Sequence, residues 1–90
     1  MKENDVFIKN LALSNEFSRY VLEHPEFGKK IPKNAQVVLL PDDDPELAQI
    51  NLRLAEKQRE KGQPQVHVRF KGLAPARSRL VRPEISTRVA

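Results

Sequence analysis

The chain has no cysteine and no tryptophan, and only three glycines in 90 residues. Without cysteine, neither disulfides nor a thiolate zinc site can support the core, and the composition agrees with a cytoplasmic setting. No apolar run approaches the ~18 residues that a membrane span needs. The N-terminus, MKENDVF, lacks the basic-then-apolar pattern of a signal peptide. Aromatic residues make up 6% of the chain and none follows Phe70, which removes the stacking platforms of most single-strand nucleic-acid binders. There are no internal repeats and no low-complexity tract.

What remains is ordinary globular composition, 31% charged and 39% hydrophobic. Ninety residues make one domain. A chain this small buries only about 60–65% of its unfolded surface, so its stability rests on close packing or on a second chain. The charge is unevenly placed. Residues 1–65 hold ten Lys and Arg against eleven Asp and Glu; residues 66–90 hold six against one. The excess of +4 therefore lies in the last quarter of the chain.

Residues Asn4 to Glu23 read as a first helix. At 100° per residue, Val6, Leu13, Phe17, Tyr20 and Val21 share one stripe, and Phe7, Leu11 and Leu22 form a second beside it. The combined apolar face of roughly 200° is wider than a surface helix needs, so it calls for cover on two sides. His24-Pro25 ends this helix, and Pro25 opens a short turn that Phe27 pins to the core.

Residues 35–70 read as one strand–helix–strand unit. Ala35 to Leu40 is apolar almost throughout, the pattern of a strand buried on both faces. Pro41 stops it. Asp44 caps the next helix, with Pro45 at its first position and Glu46 in its first turn. Leu47, Ile50 and Leu54 form its buried stripe, Gly62 is expected at C′, and Pro64 prevents continuation. Gln65 to Phe70 alternates, with Val66, Val68 and Phe70 on one face and His67 and Arg69 on the other. Strands joined this way are parallel and the crossover right-handed.

The fold class is thus α/β: a small helix–strand–helix–strand domain over residues 1–72, with residues 73–90 as a basic C-terminal arm. Arg79 to Arg82 is the one stretch of that arm with strand character. Two parallel strands are too few for a stable sheet. The C-terminal segment or a second copy of the chain is expected to complete it, and a homodimer also explains the wide face of the first helix.

Four groups of residues carry candidate chemistry. Asp42, Asp43 and Asp44 lie at the C-terminal end of a strand, where ligands of open α/β sheets bind; three carboxylates there suit a divalent cation. Stopping the strand and capping the helix accounts for the same residues. The loop's negative charge and lack of glycine oppose a phosphate ligand. Asn51 sits inside the apolar face of the second long helix, where a buried amide needs partners or lines a pocket. Arg69, Lys71, Arg77, Arg79, Arg82 and Arg88 form the electrostatic footprint of a nucleic-acid or partner contact, though no recognised nucleic-acid motif accompanies them. The two histidines, His24 and His67, have no metal-motif spacing, and Ser14, Ser18, Ser78 and Ser86 stand in no nucleophile elbow.

The segments NLALSNEFSRYVLEHPEFGKKIP, AQVVLLPDDDPELAQINLRLAEKQREKGQP and LAPARSRLVRPE resemble a family of short prokaryotic proteins grouped as a domain of unknown function. The resemblance runs from Asn10 to Glu84. It implies a stand-alone protein and brings no activity, cofactor or site residue with it. The residues themselves favour a self-associating, non-enzymatic interaction module without a cofactor. The alternatives are nucleic-acid binding through the arginines and a metal-assisted enzyme using the aspartate loop.

Overall fold

The computed structural model describes residues 1–88. The elements run α1 (Glu3–Glu23), α2 (Pro25–Gly28), β1 (Gln36–Pro41), α3 (Pro45–Gln58) and β2 (Gln65–Phe70). The two strands are parallel and pair in register from Gln36 with Gln65 to Pro41 with Phe70. The ladder continues past both ends: the Gln36 N–H donates to the Pro64 carbonyl at 2.8 Å, and the Asp42 N–H to the Phe70 carbonyl at 2.8 Å.

The α3 helix forms where its signals place it. The Asp44 carboxylate accepts from the Leu47 N–H at 3.2 Å, and Pro45 occupies the first turn. Val38 and Leu40 of β1 pack against Ala55, with Ala48 and Leu52 beside them. Residues of like parity share a face in paired parallel strands. The opposite face therefore carries Val37, Leu39 and Pro41 with Val66, Val68 and Phe70. Leu13 and Phe17 of α1 flank the Val68–Phe70 end of that face. Phe27 anchors α2 against α1 by edge-to-face contacts with Tyr20 at 5.1 Å and Phe17 at 6.4 Å.

Four expectations need correction. The β1 strand is not buried on both faces: Val38 and Leu40 are buried, but Val37 and Leu39 are only half-buried. Two strands offer too narrow a platform for the second layer to close over them. Gly62 is not the C′ residue of α3, which ends at Gln58 with Arg59 in extended geometry. Gly62 instead supplies φ +78° to a separate turn, where the Gln63 N–H donates to the Glu60 carbonyl at 3.1 Å. Third, Arg79 to Arg82 forms no strand. Last, the C-terminal segment does not complete the sheet, which keeps two strands among the described residues; its prolines, Pro75 and Pro83, each remove a backbone donor that edge pairing would use.

From Leu73 to Arg88 every residue is exposed and lies outside helix and strand. The radius of gyration, 18.2 Å, exceeds the ~12 Å of a compact chain of this length. Exposed surface totals 8071 Å², against roughly 5,400 Å² for a compact monomer of the same size.

Candidate functional site

The aspartate loop is built by the ends of both strands. The Asp42 and Asp43 amides donate to the Phe70 and Lys71 carbonyls at 2.8 and 3.0 Å, so the loop backbone is an extension of the ladder. Its three carboxylates then part. Asp42 accepts from Arg69 Nη1 at 3.2 Å. Asp44 turns back to the α3 N-terminus and accepts from Lys9 Nζ of α1 at 2.9 Å. Asp43 lies over Gly72, where a Cβ would overlap its carboxylate as it now stands. Among the described residues no three His, Asp or Glu side chains form a group that suits a metal ion.

The Lys9 contact fixes the charges of this pair. Its hydrogen bond, and that from the Leu47 amide, hold the Asp44 carboxyl below the ordinary carboxylate range. The same hydrogen bond raises the Lys9 ammonium above its ordinary value. A lowered carboxylate stabilises the fold above its unfolded pKa and ceases to do so as pH falls through the folded value. A raised lysine stabilises below its unfolded pKa and ceases to do so as pH rises through the folded value. Lys9→Met should therefore lower the urea midpoint by a constant amount between about pH 5 and about pH 9, with the difference closing at both extremes. A difference that persists undiminished at pH 2 would exclude the ion pair as its cause.

Asn51 is buried and fully engaged. Its Nδ2 donates to the Leu39 carbonyl at 2.9 Å and to Asn10 Oδ1 at 3.0 Å, and its Oδ1 accepts from Asn10 Nδ2 at 2.8 Å. Both amide protons are thus used within the protein. The Leu39 carbonyl points outward from the edge of β1 that β2 does not cover, so the amide pair seals that edge and joins α1 to α3. A shallow cleft opens beside it, bordered by Ser14, Gln36 and Gln58. Asn10 was not singled out from the sequence. It carries the same signal as Asn51, a polar residue inside an apolar stripe, between Val6, Leu13 and Phe17.

The basic residues are dispersed. Arg69 pairs with Asp42 across the strand ends, and Lys71 is exposed beside it. Arg77, Arg79, Arg82 and Arg88 stand along the extended arm with no carboxylate partner among the described residues. His67 is exposed and hydrogen-bonds Gln65 at 2.7 Å; His24 closes α1, stacked on Tyr20 with its Nδ1 3.0 Å from the Tyr20 carbonyl. The structure brings Asp42 and Arg69 together, and joins neither to Asn51.

An apolar groove lies elsewhere. A groove of about 370 Å³ runs between α1 and β2, floored by Leu13, Phe17, Tyr20, Phe27, Val68 and Phe70. Leu73 and Ala74 stand at its mouth, where the arm departs. Further apolar surface is open on α1, where Phe7, Ile8, Leu11 and Leu22 are exposed by 51–81%.

Fold and surface together define a small mixed α/β domain with a two-stranded parallel sheet. No helix among the described residues is long and apolar enough to cross a membrane. The chain belongs to a family of unknown function, DUF5647, whose model matches residues 5–83. No curated protein and no solved structure matches it.

Proposed function

We propose that this protein is a self-associating interaction module without catalysis, a homodimer in a cytoplasmic setting. The observation that carries the reading is the surface: 8071 Å² is exposed, about 2,700 Å² more than a compact monomer of this size shows. A standard interface needs about 800 Å² from each partner, and obligate homodimers bury more. Part of the excess is the extended arm, and part is the open face of α1. The two-stranded sheet supports the same reading, because so small a sheet is marginal without further cover. Sedimentation equilibrium at micromolar concentration tests it. The expected mass is twice that of the chain; a monomer across the accessible range overturns the reading.

A second reading rests on the four arm arginines that have no acidic partner among the described residues. Free guanidinium groups on an extended segment suit phosphate oxygens. An anisotropy titration with single-stranded and duplex DNA at two salt concentrations decides it. Affinity that falls steeply with salt supports the reading, and no binding at low salt ends it.

A further inference from the structure

We infer that two copies pair through the open faces of their α1 helices, antiparallel, about a two-fold axis beside Ser14 and Asn15. The inference rests on the self-association reading and adds to it a surface and a register.

The face is set by helical periodicity. At 100° per residue, Phe7, Leu11, Ser18 and Leu22 fall within about 60°, with Ser14, Asn15 and Ile8 at the borders. All of these are exposed. Asp5, Lys9, Glu16, Arg19 and Glu23 lie outside this sector, so from Asn4 to Leu22 it holds no ionisable group. A second copy can therefore meet it without setting like charges against each other. The stripe is continuous with half-buried Ile50 and with Leu54 of α3, which border Phe7 across a shallow hollow.

The order of residues fixes the direction. The large side chains stand at the ends, Phe7 and Leu11 at one and Leu22 at the other, with Ser14 and Ser18 between them. In a parallel pair, serine would face serine in the middle and leave a gap. In an antiparallel pair, position numbers of facing residues sum to a constant. Setting Phe7 against Leu22 of the second copy places Leu11 against its Ser18 and brings Ser14 and Asn15 of both copies together beside the two-fold axis. Ser18 then receives a leucine, and the small side chains at the centre let the helices approach closely. Antiparallel packing also opposes the two helix dipoles rather than aligning them.

The chain has no cysteine of its own, so single introduced thiols report the register. With a rise of 1.5 Å per residue, the two copies of position 14 lie about 1.5 Å apart along the axis, and those of position 18 about 10 Å apart. A disulfide needs Cα atoms within about 7 Å. Under mild oxidation Ser14→Cys should form a covalent dimer at least tenfold faster than Ser18→Cys. Both positions are exposed, so both variants should fold. If the protein sediments as a dimer but Ser18→Cys links as fast, or neither variant links, the helix pairing is wrong and self-association stands on another surface. A monomer overturns both.

Discussion

Leu40→Ala is expected to destabilise the domain by about 2–5 kcal/mol, read as a drop in urea midpoint with little change in slope. Leu40 is 2% exposed, one of the two most completely buried large side chains, and it meets α3 through Ala55 and its neighbours. Truncation removes its transfer free energy and leaves a cavity, because α3 is held at its first turn by the Asp44 cap and cannot settle freely onto the strand. The loss is large beside the total. Domains of this size have about 5–14 kcal/mol in all, and each kcal/mol is worth roughly 4–8 °C in melting temperature. Ile85→Ala is the matching control, since Ile85 is 95% exposed; its effect on the monomer should be near zero. If the two variants were alike, the core would not lie between β1 and α3.

The strand–helix–strand unit was legible because its signals are local. An aspartate and a proline open α3 and alternation marks β2, all within residues 36–70; Pro41, expected to stop β1, instead lies within it, paired with Phe70, and the ladder runs on through Asp42. The seat of α1 was not. Lys9 reaches Asp44 across 35 positions and Asn10 reaches Asn51 across 41. Periodicity can show that a helix wants cover but not which polar residue meets which. The predicted wide apolar face resolved into two halves for that reason. Leu13 is buried, and Val6, Phe17 and Val21 are half-buried towards the body. Phe7, Leu11 and Leu22 remain outside.

The same limit applies to Gly62. A glycine four residues beyond the last helical turn has the composition of a cap, but the helix already ends where Arg59 becomes extended, and the glycine serves the following turn. In the aspartate loop, the cap was readable from Asp44 and Pro45. The divergence of Asp42 and Asp43 was not, because it depends on Arg69 and Gly72 from the end of β2.

Asn51→Asp should be among the most damaging isosteric changes in the chain. The substitution keeps the shape and replaces an NH2 that donates twice with an oxygen that donates nothing when ionised. The introduced carboxylate would face the Leu39 carbonyl at the 2.9 Å now spanned by a hydrogen bond. An uncompensated buried charge costs about 3–5 kcal/mol. Asn10 can turn its own amide to donate, which relieves one side of the clash and not the other. Burial and the adjacent carbonyl would raise the introduced group's pKa above its unfolded value. The sign of the pH dependence follows: the penalty is smallest below the unfolded pKa and grows as pH rises towards the folded one. The variant should therefore lose stability between about pH 4 and pH 7, where other carboxylates favour the wild-type fold. Asn51→Leu separates charge from hydrogen bonding. It strands the Leu39 carbonyl, a cost of about 1–3 kcal/mol, with no pH dependence of its own. Urea titrations of the three proteins at pH 5 and pH 8 test the order wild type, Leu, Asp. If Asn51→Asp proved as stable as the wild type at pH 8, the amide pair would not be what joins α1 to the edge of the sheet.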